Sequence, residues 1–400
     1  MKRRLITADK VFPVYRPMVE GAILVINEDG VIEDFVHPEE SNDLFQRLST
    51  HPDLETYAGS LVPGMINSHC HLELSFAKGL IPKNTGLPDF LKSVTRLRGY
   101  DRGMIDEAMV VAEKAMADEG IVGIGDISNT DHSLQIKSSS KMRYHTFVEV
   151  FDLHEDRAQQ CFDDGIRLVN SYERAGLQAS LVPHATYTVS SRLMSLLSNR
   201  SAERGGLLTL HNQETLTEDD FFLTGEGALA SFLKTTGRFD DWMPSGVTAL
   251  RSAIQTFDKD CKLMLVHNTF TPKEDVFYIK ENYKEVHWCL CPKANLHIEN
   301  KLPDLCALVD IGQRILIGTD SLASNDRLSL LEEMSVILSH DKTISFDRLL
   351  ESATSEAAKF FGWDDVLGDF KKGKRPGVIW LKQVGESSGQ VMSGETVISA

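Results

Sequence analysis

From residue 61 to 318, eight short apolar runs alternate with amphipathic helical segments, and this alternation limits the fold more than any other feature. The first run leads into His69. The others lie at 121–127, 143–150, 178–183, 207–210, 262–266, 286–290 and 314–318. Between them, 102–119 carries Ile105, Ala108, Met109, Ala112, Ala115 and Met116 on one helical stripe. Segments 156–175 and 191–203 behave similarly. Eight strands with helical segments between most of them over this length predict an α/β chain with a (β/α)8 TIM-like barrel. A doubly wound open sheet would want a glycine-rich phosphate loop after its first strand. Here His69-Cys70-His71 occupies that place.

Residues 1–60 read as β-rich, with strands at 5–14, 21–26 and 31–36 and a turn at Asn27-Glu28-Asp29-Gly30. The stretch 37–55 is polar and reads as loop or helix. After Asp320 come helices at 328–339 and 346–361, then a strand near 374–381 that is expected to rejoin the amino-terminal sheet. The expected organisation is therefore a barrel over 61–372 and a small β-sandwich built from 1–60 and 373–400.

Barrel enzymes place their sites at the carboxyl ends of the strands. Strand one ends in His69 and His71, strand four in His184 and strand five in His211. Strand six ends in His267 and strand eight in Asp320. Singly, each has a plain alternative, since a strand-end His often caps a carbonyl and Gly-Thr-Asp is a common turn. Together they predict a metal site. Residues two apart on a strand share a face, so His69 and His71 converge. With His211 and Asp320 they make three imidazoles and one carboxylate, and a water fills the open position. The ion would lower the pKa of that water towards ~7. Glu214, three residues past His211, is the expected proton shuttle. His267 is placed to hydrogen-bond the attacking hydroxide or the developing alkoxide.

Composition narrows the partners. A net charge of −16 excludes the basic face that nucleic acid requires. No window approaches the ~18–20 consecutive apolar residues of a membrane span. The basic start of the chain lacks an apolar run behind it, so no signal peptide is expected. Six cysteines, at 70, 161, 261, 289, 291 and 306, form no Cys-x-x-Cys pair and read as free thiols of a cytoplasmic protein.

In order along the chain, Pro63-Gly64-x4-His69-x-His71, His211-x-x-Glu214, His267 and Gly318-Thr319-Asp320-Ser321 resemble the motifs of the amidohydrolase superfamily. The resemblance covers essentially the whole chain and is closest to the nucleoside and guanine deaminases and the triazine chlorohydrolases. Leu290-Cys291-Pro292-Lys293-Ala294-Asn295 is similar to that branch's Cys-Pro-x-Ser-Asn, with Ala294 in place of Ser. The resemblance implies one divalent ion, usually zinc and sometimes iron. The strand-four end carries His184 and no Lys, which agrees with a single ion. It implies a substrate contact for His184 and hydrolytic deamination of a purine-like or adenosine-derived small molecule. In that reaction Glu214 takes a proton from the metal water and passes it to a ring nitrogen. His267 and Asp320 assist the proton traffic. A homodimer is the family habit.

The form His69-x-His71-x-Glu73 is similar to that of the aminodeoxyfutalosine deaminases. Strand parity would aim Glu73 at the pocket mouth, and its alternative role is a surface carboxylate bonding a loop amide. Asn295 and Trp242 are further expected substrate contacts. Residues 85–91 should cover the site, and the long connection 212–261, with Phe221, Phe222 and Trp242, should form a lid or wall. No Arg pair marks a phosphate or amino-acid substrate. Competing readings are an amidase, imidazolonase or chlorohydrolase on another heterocycle, and a non-catalytic homologue, which loss of ligands would mark.

Overall fold

The computed structural model describes residues 3–97, 99–235, 243–382, 394–398 and 400. Its strands are β1 Arg4–Val11, β2 Val19–Glu20, β3 Ile23–Ile26, β4 Ile32–Val36, β5 Leu54–Pro63, β6 Met65–Cys70, β7 Ile121–Ser128 and β8 Arg143–Val150. They continue as β9 Gln178–Pro183, β10 Leu207–Asn212, β11 Lys262–His267, β12 Glu285–Leu290, β13 Arg314–Ile317, β14 Val378–Leu381 and β15 Gly394–Ile398.

Strands β6 to β13 are the eight apolar runs. They form two four-stranded parallel sheets, β6-β7-β8-β9 and β10-β11-β12-β13. Nearly every residue in them is buried, as expected of parallel strands covered on both faces. The sheets meet at two seams. One is the parallel bridge between Cys70 and Asp320, the other that between Ala185 and His211. At the first seam the His69 carbonyl accepts the N–H groups of Thr319 (3.0 Å) and Asp320 (3.1 Å). Gly318 makes this approach possible, because a Cβ there would lie 2.7 Å from the His69 Cβ.

Both termini share one mixed seven-stranded sheet, ordered β15-β14-β5-β1-β3-β4 with β2 on β1. The rejoining of the carboxyl-terminal strand is as expected. The described strands form a single sheet rather than two facing ones. The helix Asn42–Ser49 falls in the stretch read as loop or helix and packs Leu44, Phe45 and Leu48 over one face. Strand β5 lies within and beyond the stretch expected as loop or helix. It pairs parallel with β1 and antiparallel with β14, so Leu61–Pro63 belong to this sheet. The helix expected at 346–361 is broken at Thr354 into Phe346–Ala353 and Ser355–Phe361. No described helix is long and apolar enough to cross a membrane.

Candidate active site

The predicted metal ligands converge where the two sheets meet. His69 lies in β6, His211 in β10, and His71 and Asp320 just past β6 and β13. His71 Nε2 is 3.2 Å from His69 Nε2 and 3.3 Å from His211 Nε2. Asp320 Oδ1 is 3.4 Å from His71 Nε2 and 3.8 Å from His69 Nε2. Burial, reinforced by the neighbouring imidazoles, holds His69 and His71 well below the usual histidine range. Burial also pushes His211 down to about 3. His211 Nδ1 can only donate to the His184 carbonyl, 2.9 Å away, so its Nε2 is bare. Neutral imidazoles presented nitrogen to nitrogen around one point fit a divalent ion. His69, His71 and His211 offer ligand atoms within 4.8 Å of one another, and so do His69, His267 and Asp320.

The backbone is strained at this point. His267 (φ 72°) and Asp320 (φ 54°) both sit in the left-handed region, which is costly for residues with a Cβ. Ser324 donates to Asp320 Oδ2. Asn67 ties the first strand to the last, accepting from Thr319 N (3.1 Å) and donating to Thr319 Oγ1 (2.7 Å).

Glu214 follows β10 and is buried, which raises its carboxyl well above the usual range. Its Oε1 lies 3.7 Å from His267 Nε2. Asn295, expected to touch substrate, instead holds His267 from behind and is absent from the described cavity wall. The short helix Pro292–Glu299 brings that side chain against His267 at the end of β11. His184 does line the cavity. Its Nδ1 meets Thr188 Oγ1 at 3.0 Å, and burial lowers it to about 4.

Glu73 also lines the cavity, though not by strand parity. Strand β6 ends at Cys70, and Leu72–Ala77 is a 3-10 helix. Glu73 Oε2 accepts the N–H groups of Asn129 and Thr130, both at 3.2 Å. Burial raises it to about 7. Glu73 thus bonds two loop amides as the alternative expected, but from the cavity wall and not as a surface carboxylate. Trp242 lies outside the described residues.

The cavity measures ≈ 650 Å³. Leu87, Phe90, Leu91 and Val94 of the helix Leu87–Arg96 form one apolar wall, as expected for 85–91. The connection 212–261 adds Phe232 and Leu233 from the helix Gly227–Thr235, while Phe221 and Phe222 are buried behind them.

Two acidic residues of the site escaped the sequence reading. Glu149, at the end of β8, lines the cavity with Oε1 3.5 Å from His211 Nδ1. Glu149 lies inside the run 143–150 rather than after it, so a strand-end criterion passes over it. Glu218 accepts from the backbone of Gln213 (3.1 Å) and Glu214 (2.7 Å). The spacing Thr215-x-x-Glu218 is a capping box and was legible.

Residues 60–391 match the family model described as "Amidohydrolase family". The chain belongs to that family. This metal-dependent family is the one its motifs resembled. The amidohydrolase is 27% identical over 349 residues to an aminodeoxyfutalosine deaminase of Deinococcus radiodurans, covering 83% of this chain and 79% of the relative. It is 24% identical over 398 residues to a 5-methylthioadenosine/S-adenosylhomocysteine deaminase of Saccharophagus degradans, covering 94% and 82%. Its fold is similar to that of Helicobacter pylori aminofutalosine deaminase solved with methylthio-coformycin. The TM-score is 0.81, identity is 22%, and 99% of this chain and 98% of the other are covered.

Proposed function

We propose that this amidohydrolase hydrolyses the amino group from the purine ring of an adenosine-derived small molecule and releases ammonia. The observation that carries the reading is the pairing of Glu214 with His267 beside four convergent metal-type ligands, at the floor of a cavity with apolar walls. The relatives named for aminodeoxyfutalosine and for 5-methylthioadenosine point to the same substrate class. Both names denote an adenosine-like head with a larger group attached, which suits the wall of Phe90, Leu91 and Phe232.

His69, His71, His211 and Asp320 would hold one divalent ion, with zinc the first choice and iron the second. When bound, such an ion acts as a Lewis acid and makes a water acidic enough to supply a nucleophile near neutral pH. Glu214 carries a proton to the ring nitrogen, so that the ring electrons are drawn from the amino-bearing carbon. That carbon gains a water oxygen and loses ammonia. His267, with Nδ1 donating to Asn295, offers a bare Nε2 to the reacting groups, and Asp320 is the second carboxylate in reach of it. His184 and Glu73, which line the same cavity, contact the substrate.

The reading includes one closed (β/α)8 barrel over 61–372, formed from the two parallel sheets. The seams at Cys70–Asp320 and Ala185–His211 support it. The small β domain is assigned to 1–60 and 373–400. The six free thiols support a reducing, cytoplasmic location. A homodimer is the expected assembly.

Ammonia release should be measured for adenosine, 5-methylthioadenosine, aminodeoxyfutalosine, guanine and a chlorotriazine. The proposal expects turnover confined to the adenosine derivatives. Turnover of guanine or the triazine alone would contradict it.

A further inference from the structure

Beneath the cavity, Lys137 and Asp126 form an ion pair with both side chains fully buried, Nζ to Oδ2 at 2.6 Å. Asp126 lies in β7 and Lys137 on the outer helix Leu134–Ser139. The three ammonium protons have three acceptors: Asp126, Ser128 Oγ (2.8 Å) and Thr146 Oγ1 (3.3 Å). The pair reaches the site along two routes. Asp126 Oδ1 accepts the N–H of Leu72 at 2.8 Å, and Leu72 stands between His71 and Glu73. On the other route, Ser128 Oγ contacts Ser133 Oγ at 3.1 Å, and Ser133 donates to Glu73 Oε1 at 3.3 Å. Tyr172, 2.9 Å from Ser133, donates to the Thr130 carbonyl at 2.8 Å, and the Thr130 and Asn129 amides complete the hold on Glu73.

A buried ion pair gives little net stability over an apolar pair of similar volume, because desolvation offsets the attraction. An apolar pair would fill the space as well. It would not accept the Leu72 N–H or anchor Ser128. We propose that Lys137 and Asp126 are positioning residues, whose pairing fixes the backbone at Leu72 and thereby the aim of Glu73 into the cavity. The inference rests on the assignment of Glu73 to substrate made above.

The test uses metal-loaded full-length enzyme carrying Lys137→Met, Asp126→Asn, or the apolar double change Asp126→Leu/Lys137→Met, each with and without Glu73→Ala. In the Glu73 background, each change should raise KM by roughly 10- to 100-fold, the scale of a displacement near 1 Å, with metal content retained. In the Glu73→Ala background the same changes should move KM little, since the group they aim is gone. The double change should still fold cooperatively, at a melting temperature lowered by the unpaired Leu72 N–H, and show the KM defect. If Lys137→Met does not fold, the double change carries the comparison alone. Wild-type kinetics in a folded double variant, or defects that multiply independently with Glu73→Ala, would overturn the proposal. If the wild type deaminates no adenosine derivative, the functional reading fails instead. Hydrogen exchange then decides the positioning claim: the Leu72, Asn129 and Thr130 amides should lose protection together in the double variant, and unchanged protection would refute it.

Discussion

His267 Nδ1 donates to Asn295 Oδ1 at 2.9 Å, and Asn295 Nδ2 returns a bond to the His267 carbonyl at 3.3 Å. The second bond fixes which end of the amide faces the ring, and so fixes the tautomer. His267 Nε2 is left bare, 3.7 Å from Glu214 Oε1. Asn295→Ala should therefore lower kcat by about 10- to 100-fold, the usual cost of losing such an orienting partner. Metal content, measured by elemental analysis, should stay at the wild-type value. Unchanged kcat would show that His267 needs no such support.

Glu214→Gln keeps the size of the side chain and removes its exchangeable carboxyl proton. Loss of general acid–base catalysis should cost about 10²- to 10⁴-fold in kcat, without loss of the ion. His211→Ala should behave differently, losing ion and turnover together, because it supplies a bare Nε2 to the cluster. Parallel kinetics and metal analysis of the two variants separate the roles. Equal metal loss in both would place Glu214 among the ligands.

The eight core strands and their terminal His and Asp residues were legible because each is local: an apolar run, then a polar residue at a fixed place. Strand β5 was not. Its segment Leu-Glu-Thr-Tyr-Ala-Gly-Ser is barely patterned, and the partners that hold it come from near both ends of the chain. Glu73 reached the expected cavity by a turn that parity does not encode. Asn295 was placed on the wrong side of His267 because packing, not spacing, aims a side chain on a short helix. Lys137 carries no sequence signal of burial. Only its pairing with Asp126 makes it tolerable inside the fold.

The apolar wall should govern binding more than chemistry. Phe90→Ala removes an aromatic ring that lines the cavity. It should raise KM by about 10-fold or more for an adenosine derivative with an apolar 5′ group, from a loss of roughly 1–3 kcal/mol of contact energy, and change kcat little. Steady-state kinetics on that substrate and on adenosine itself would check this. An equal effect on both would place the wall away from the substituent.

His145 predicts an acid limb in stability. Burial, aided by the charge of Lys137, pushes it down to about 3 in the folded chain, against ~6.5 when unfolded. The unfolded chain then binds more protons between these values, so folding stability falls as pH drops from about 6.5 towards 3. His145→Gln, which can keep a bond to Ser180 Oγ, should flatten that slope in urea titrations at pH 4.5 to 7. An unchanged slope would assign the acid limb to other groups.

The central claim is hydrolytic removal of an amino group at the His69, His71, His211 and Asp320 centre. Its most direct test is turnover of 5-methylthioadenosine in oxygen-18 water by metal-loaded wild type and by Glu214→Gln. The account predicts one ammonia released per labelled oxygen gained at the purine carbon, and almost none with Glu214→Gln at equal metal content. Ammonia without label, or equal turnover by the variant, would contradict it.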